Sequence, residues 1–297
     1  MKQFIKGLFF FIFPILALFI ILEILVRDSN SLYKEKWKEY TAKADSIEIL
    51  VLGNSHAMNG IDPREFDLFT YNMAFGSQTI YFDKAITLKQ IKKMPNLKYV
   101  LVSIDYHSLY YTHNKARDIF YHYYYKIDYN KKNYFIEDLS WVYALGFKQT
   151  IREHLQRGKT NSYNGFVPHN TTNWSVINTP SAEKRVEQLE AGFREKNNII
   201  NNLNEFIKTL KKEKITPILI TLPCHKYFNE NLNKDIVNKN LVEINKISDF
   251  YDVPYWNLTN KKYPDSLFYN VDHLNIHGAK KISKELNIKI QGLNNVL

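Results

Sequence analysis

Cysteine is nearly absent from this sequence, since Cys224 is the single one among 297 residues. One thiol excludes an intramolecular disulfide framework and any multi-cysteine zinc or iron–sulfur site. A disordered chain is excluded as well, because 45% of the residues are hydrophobic and 15% are aromatic. Internal repeats are also lacking. The length suits one large α/β domain or two small ones.

Acidic residues are too few to balance the basic ones. There are 30 Asp and Glu against 40 Lys and Arg, which gives a formal net charge of +10. Such an excess suits nucleic acid, anionic lipid or an anionic polymer, and a lysine-rich solvated surface gives the same number. No recognisable nucleic-acid-binding motif accompanies it, so no nucleic-acid partner is expected.

The first 27 residues are predicted to form a transmembrane signal anchor. Residues 7–22 carry no charge, and extension to Val26 gives twenty residues, about the number that a helix needs to cross a bilayer. No small-x-small cleavage site follows, so we expect an uncleaved anchor, with a cleaved signal peptide as the alternative. Lys2 and Lys6 favour a cytoplasmic N-terminus, which places the domain after the anchor on the extracytoplasmic side. A basic cluster over 27–38 opposes that orientation.

Apolar runs and apolar periodicity predict strands that alternate with helices. Strands are expected at 47–52, 71–75, 99–104, 215–222 and 253–256, and helices at 80–93, about 186–210, 231–250 and from 276 onward. This alternation predicts a three-layer α/β/α sandwich with a parallel, flavodoxin-like sheet and its site at the carboxyl ends of the strands.

The predicted organisation has three parts. Residues 28–44 form a stalk, and residues 45–297 form the α/β domain. A Tyr-rich insertion at about 105–180 interrupts that domain, with eleven tyrosines between Tyr106 and Tyr163. These aromatic side chains suit either a structural or interfacial role or a platform for sugar rings.

The segment Gly53-Asn54-Ser55-His56 follows the first strand. A serine in such a turn can be a nucleophile when a histidine takes its proton. The nucleophile elbow of α/β-hydrolases needs glycine where Ala57 stands, so that elbow is excluded. Alternatively, Gly53 only permits the turn and Ser55 only caps a helix. In the catalytic interpretation, His56 and Asn54 are predicted to contact substrate.

A second polar segment contains Asn270, Asp272 and His273 and precedes the last helix. A histidine in a loop with acidic neighbours is suited to act as a base. His277 lies four residues after His273, but no third strong ligand set accompanies the pair, so no metal site is predicted. Cys224 is expected to be a structural cysteine, away from this chemistry.

Together, the two segments resemble the SGNH (GDSL-like) hydrolase superfamily. The closest likeness is to its membrane-anchored branch around the DltD and alginate O-acetylation proteins of bacterial envelopes. The resemblance covers about residues 45–290. Gly53-Asn54-Ser55 matches the segment of the nucleophile, and His273 matches the histidine of the family's D-x-x-H segment. It implies catalytic roles for Ser55 and His273, and an oxyanion hole formed by the backbone N–H groups of Ser55 and Gly76.

The sequence departs from the family pattern at two places. The third block, residues 103–107, lacks the usual glycine and asparagine, which leaves one oxyanion donor unidentified. Asn270 stands where the family has aspartate, three residues before His273. Either Asp272 or Asn270 then supports His273, or the site works as a Ser–His dyad. Adjacent side chains seldom align well for such a hydrogen bond, and Asp272 is favoured only slightly over Asn270.

The resemblance implies a membrane-anchored serine acyltransferase or esterase that needs no cofactor. Its expected substrates are O-acyl groups, acetyl or D-alanyl, on a cell-surface polysaccharide or anionic envelope polymer. A membrane-bound O-acyltransferase is an expected partner, and the N-terminal helix is expected to contact membrane lipid. The alternative is a non-catalytic envelope scaffold or glycan-binding subunit that retains the fold.

Overall fold

The structure is a computed structural model that describes residues 1–27, 31–111, 115–129, 139–145, 162–194, 197–259 and 261–294. The chain divides into two compact units. The smaller unit comprises Met1–Trp37 and Lys115–Thr160, and the larger comprises Lys38–Asn114 and Asn161–Leu297. Helix α2 (Leu32–Ala42) runs across the division and covers most of the predicted stalk, whose role stays a prediction.

The smaller unit contains the N-terminal apolar helix. Helix α1 (Lys2–Arg27) is long and apolar enough to cross a membrane by length and composition. Near its end, Glu23 accepts hydrogen bonds at 3.1 Å from the backbone N–H groups of Trp141 and Val142. These two residues open the short helix Trp141–Leu145 of the same unit.

Aromatic side chains form much of the smaller unit's interior. Tyr121 and Tyr125 lie in a π-helical turn and are each 1% exposed. Tyr33 stacks on Phe120 with ring centroids 4.8 Å apart, and Trp37 stacks on Tyr125 at 4.5 Å. This part of the Tyr-rich segment therefore packs as a core. Residues 112–114, 130–138 and 146–161 of the predicted insertion lie outside the described residues.

The larger unit is built on a five-stranded sheet. All neighbouring strands are parallel, and the order is β2-β1-β3-β4-β5. The strands are β1 (Ile49–Leu52), β2 (Thr70–Asn72), β3 (Tyr99–Ser103), β4 (Thr216–Thr221) and β5 (Tyr255–Asn257). Strand β2 lies on one side of β1, and β3, β4 and β5 follow on the other side. The strand order therefore switches between β1 and β3, and open α/β sheets bind ligands at such a switch point.

Helices cover both faces of the sheet, which confirms the predicted three-layer α/β fold. Those of the larger unit are α3 (Ser55–Gly60), α4 (Ile80–Gln90), α7 (Thr179–Glu190), α8 (Asn197–Lys212), α9 (Lys226–Asn231), α10 (Lys234–Tyr251) and α11 (Ile276–Asn294); α5 (Lys115–Phe120) and α6 (Trp141–Leu145) belong to the smaller unit. Ile49 and Val51 face α3 and α11 in one apolar cluster. Leu50 and Leu52 point to the opposite face because strand side chains alternate.

One predicted element is wrong. The apolar periodicity over 186–210 predicts a single long helix, but α7 ends at Glu190 and α8 begins at Asn197. Gly192 follows α7, and a Cβ there would lie 2.4 Å from the Tyr111 ring. Phe193 stacks on Tyr110 with ring centroids 4.4 Å apart. This local packing overrides a periodicity that the two separate helices happen to share.

Candidate active site

The turn after β1 requires a glycine. Gly53 has φ of +126°, and a Cβ at this position would lie 2.7 Å from the Cβ of Ser103. The next residue, Asn54, caps α3, since its Oδ1 accepts from the backbone N–H of His56 at 2.8 Å. Ser55 is therefore held at the start of α3, at the carboxyl edge of the sheet.

Ser55, His273 and Asp272 form a continuous hydrogen-bonded chain. Ser55 Oγ and His273 Nε2 are 2.8 Å apart, and His273 Nδ1 and Asp272 Oδ1 are also 2.8 Å apart. With the Nδ1 proton directed at the carboxylate, Nε2 is free to accept the proton of the Ser55 hydroxyl. This is the geometry of a serine nucleophile with a base and an acid that orients the base.

Asp272 and Asn270 both contact His273, in different ways. Asn270 Oδ1 lies 3.2 Å from His273 Nδ1 and also accepts from the backbone N–H groups of Asp272, at 3.1 Å, and of His273, at 2.8 Å. These bonds form a tight turn that brings Asp272 beside the ring. Asn270 thus holds the backbone, and the carboxylate of Asp272 makes the shorter contact with Nδ1.

Asp272 is buried and remains ionised. Burial raises its pKa, but His273 and His56 more than compensate and hold the pKa well below its ordinary value. Arg185 on α7 adds a charged hydrogen bond from Nε to Asp272 Oδ2 at 2.5 Å. The sequence does not single out Arg185, because helical spacing places it beside Ala182 and Leu189 on α7 but carries no information about its contact with Asp272.

His56 lies between two buried carboxylates. Its Nδ1 is 3.4 Å from Asp105 Oδ1, its Nε2 is 3.7 Å from Asp272 Oδ2, and its side chain is 3% exposed. Burial lowers the pKa of His56, but Asp105 and Asp272 raise it well above its ordinary value. The imidazolium therefore balances the carboxylates. The substrate contact predicted for His56 stays a prediction, and the ring faces these acids.

Asn54 is fixed at both ends of its amide. Besides capping α3, its Nδ2 lies 3.1 Å from His107 Nε2 and donates to Ser108 Oγ at 3.4 Å. Burial, together with the cation on His56, lowers the pKa of His107 to about 3, so the ring is neutral and accepts from Asn54. His107 comes from the third block, where the sequence had shown only a departure from the family pattern.

Gly76 lies at the same edge of the sheet as Ser55. It follows Phe75, whose backbone N–H donates to the Gly53 carbonyl at 3.0 Å. The strands β1 and β2 that precede these segments are neighbours in the sheet. The role of Gly76 and of the Ser55 N–H in an oxyanion hole stays a prediction.

Cys224 lies closer to the site than we expected. Its Sγ is 3.9 Å from His56 Nδ1 and 3.6 Å from the Asp272 carbonyl oxygen. The reason is topological, because Cys224 follows β4, which ends beside β3 at the same sheet edge. Burial raises the pKa of the thiol, which keeps it protonated and a poor nucleophile.

One metal candidate occurs among the described residues. Ligand atoms of His56, Asp272 and His273 lie within 4.8 Å of one another. A cation held by these atoms would compete with the bonds that join His273 to Asp272 and to Ser55. His277, considered at the level of the sequence, is not part of this group. The hydrogen-bonded chain accounts for these contacts without an ion.

The buried carboxyl of Asp83 hydrogen-bonds to the backbone of the turn at Gly53. Its Oδ1 accepts from the Gly53 backbone N–H at 3.0 Å and from Gln78 Nε2 at 2.6 Å. Burial raises the pKa of Asp83 to about 7, although both hydrogen bonds lower it. The native state therefore binds a proton that the unfolded state releases near its ordinary pKa of 3.8.

This carboxyl predicts a pH dependence of stability. The stabilisation due to the raised pKa is fully present below about pH 4 and is lost as the pH rises through about 7. At about 1.4 kcal/mol per unit, the loss amounts to a few kcal/mol. In denaturant titrations of the full chain in detergent, Asp83→Asn should flatten this slope, and Asp45→Asn on the surface should not. Equal slopes in both variants would contradict the assignment.

Comparisons with known proteins find structural likeness only. No family model matches the sequence, and no curated protein matches it. Similar solved structures include a GDSL-like lipase from Bacteroides thetaiotaomicron, at 13% identity, with 89% of this chain and 98% of that chain covered and a TM-score of 0.43. A lipase/acylhydrolase from Enterococcus faecalis is 12% identical, with 83% and 96% covered and a TM-score of 0.40.

A third similar structure is a catalytic mutant of an acetylxylan esterase from Geobacillus stearothermophilus. It is 9% identical, with 82% of this chain and 93% of that chain covered and a TM-score of 0.39. All three TM-scores are below 0.5, so these likenesses carry no argument about the function of this chain.

Proposed function

We propose that this protein is a serine esterase or O-acyltransferase that works through an acyl-enzyme. The observation that carries the proposal is the chain of two 2.8 Å contacts from Ser55 to His273 and from His273 to Asp272. The resemblance of Gly53-Asn54-Ser55 and His273 to the SGNH hydrolases supports the same chemistry. Serine esterases and acyltransferases share the same first half-reaction, in which the serine attacks an acyl carbonyl and takes the acyl group.

The reaction begins with attack by Ser55 on the acyl carbonyl. His273 Nε2 removes the hydroxyl proton as the Oγ–carbon bond forms, and the charge moves to the carbonyl oxygen. Backbone N–H groups of Ser55 and Gly76 are the candidates that stabilise this oxyanion. The tetrahedral intermediate then expels the alcohol, which takes the proton from His273, and the acyl group remains on Ser55.

A second alcohol or water completes the cycle. His273 deprotonates this acceptor, which attacks the acyl carbonyl, and the proton returns to Ser55 as the ester bond to the enzyme breaks. A sugar hydroxyl as acceptor gives transfer, and water gives hydrolysis. We propose acetyl or D-alanyl groups on a cell-surface polysaccharide or anionic envelope polymer as the substrate, alongside a membrane-embedded acyltransferase as partner.

We further propose that α1 anchors the enzyme with its catalytic unit on the extracytoplasmic side. The length and apolarity of Lys2–Arg27 support a membrane helix, and Lys2 and Lys6 favour this orientation. The net charge of +10 suits an anionic polymer or anionic headgroups near the enzyme.

Turnover of an aryl acetate by the full chain in detergent tests the proposal. We expect release of the aryl alcohol, with a loss of at least about 10³-fold in Ser55→Ala. Ser46→Ala, which changes an exposed serine, is the matched control. With an added oligosaccharide, O-acetylated sugar marks transfer and free acetate marks hydrolysis. A folded protein without turnover would instead favour the non-catalytic scaffold.

A further inference from the structure

His56 directly follows the nucleophile and is not used in the proposed mechanism. Its side chain is 3% exposed, and its ring centroid lies 5.0 Å from that of His273. Strands β1 and β3 are neighbours in the sheet, so the turn that carries His56 meets Asp105, which follows β3. The fold therefore places a buried imidazole beside both the proposed base and a buried carboxylate.

The contacts of His56 with its two carboxylates are ionic contacts and not hydrogen bonds. His56 Nε2 lies 3.7 Å from Asp272 Oδ2, and neither this nitrogen nor Asp105 Oδ1 has a hydrogen-bond partner among the described residues. The other oxygen of Asp105 accepts from Ser103 Oγ at 2.9 Å. The attraction between buried charges is far less screened than the attraction between charges in water. His56 therefore acts on Asp272 through its charge.

The groups that face His56 show where the positive charge lies. Burial raises the pKa of Asp105, but His56 more than compensates and holds this pKa below its ordinary value. Burial lowers the pKa of His107, whose ring centroid lies 5.6 Å from that of His56, to about 3. Burial raises the pKa of Cys224, whose Sγ is 3.9 Å from His56 Nδ1. Buried carboxylates need paired cations, and neither His107 nor Cys224 supplies one, so the positive charge lies on His56.

The charges of this buried group cancel while His273 is neutral. Asp105 and Asp272 carry two negative charges, and they pair with two positive charges. These lie on His56 and on Arg185, which donates to Asp272. A proton on His273 in the resting site would add an unbalanced positive charge beside the His56 ring. During attack by the serine, the imidazolium forms together with an oxyanion, so no net charge is added. The site thus disfavours the imidazolium more at rest than in the transition state.

We propose that His56 is a positioning residue whose positive charge keeps His273 unprotonated until the nucleophile attacks. It acts through the carboxylate of Asp272, which both histidines contact, and across the short distance between the two rings. The inference rests on the proposed function, in which His273 is the base. Loss of the charge at position 56 should therefore make His273 easier to protonate, although nucleophile, base and acid are all retained.

The pH profile of kcat/KM for an aryl acetate, measured on the full chain in detergent, tests the proposal. His56→Gln removes the charge and should move the acidic limb of the profile to higher pH by at least about 0.5 unit, because a cation beside the base is lost. His107→Gln removes a buried ring that is neutral, so it is the matched control and should leave the limb in place. His56→Asn serves if His56→Gln does not fold. An unmoved limb in a folded His56 variant, or an equal shift in His107→Gln, would overturn the proposal.

Nitrogen NMR of isotope-labelled histidine rings separates this inference from the proposed function. Both ring nitrogens of His56 should carry protons from about pH 5 to 8, and His273 should titrate at higher pH in His56→Gln than in the native protein. Each ring is assigned from the variant that lacks it. This result without ester turnover would support the effect of the His56 charge on His273 and contradict the proposed function alone. A neutral His56 at about pH 7, or equal titration of His273 in both proteins, would overturn the inference.

Discussion

His273→Ala should lower kcat/KM for an aryl acetate by about 10²- to 10⁴-fold, the usual contribution of a general base. The reason is the 2.8 Å contact between His273 Nε2 and Ser55 Oγ, the contact through which the hydroxyl proton can leave. Without it, Ser55 would have to attack as a neutral alcohol. The side chain is removed from a half-buried position, so the fold should survive.

The matched control is His277→Ala, which removes an exposed histidine four residues further along. Its kcat/KM should stay within about threefold of the native value, since a surface substitution away from the site has little effect. If His273→Ala retained full turnover while remaining folded, the base would have to be another group.

Asp272→Ala should lower kcat by orders of magnitude, and by more than Asn270→Ala does. The Asp272 carboxylate orients His273 and stabilises the imidazolium that forms during attack, a role whose loss costs about 10⁴-fold in kcat in serine proteases. Its removal also leaves Arg185 and His56 without their shared anion. Asn270→Ala removes the Oδ1 atom that accepts from two backbone N–H groups and holds the turn. We expect destabilisation of about 1 kcal/mol and a loss of kcat smaller than that of Asp272→Ala.

Asp272→Asn separates charge from shape, since it keeps the volume and removes the negative charge. We expect this variant to fall close to Asp272→Ala in kcat. Melting curves of each variant distinguish loss of chemistry from loss of fold. The assignment is wrong if Asp272→Ala keeps full activity while Asn270→Ala loses it.

Local patterns in the sequence predicted much of the fold. Short apolar runs predicted the strands around 49–52 and 99–103, because strands buried on both faces of a parallel sheet are almost wholly apolar. The break between α7 and α8 was missed, because it depends on the contact of Gly192 with Tyr111, which is 81 positions away in the sequence. Periodicity alone carries no information about such a contact.

The site could be predicted in part. Ser55 and His273 stood out because each follows or precedes an element whose end had already been predicted. The sequence favours Asp272 only slightly over Asn270, because adjacent side chains seldom align. In the structure, the Asn270 side chain folds the loop into a turn that permits the contact between Asp272 and His273. Arg185 and Asp105 escaped notice, since their roles depend on helix and strand packing that places them beside Asp272 and His56.

The most direct test of the central claim is where a fluorophosphonate attaches to the native protein. A serine activated by a histidine is phosphonylated, and an ordinary serine is not. Peptide mapping by mass spectrometry should find one adduct, on Ser55, and the intact mass of Ser55→Ala should be unchanged by the reagent. Equal labelling of native protein and Ser55→Ala, or no labelling of the folded native protein, would contradict the account.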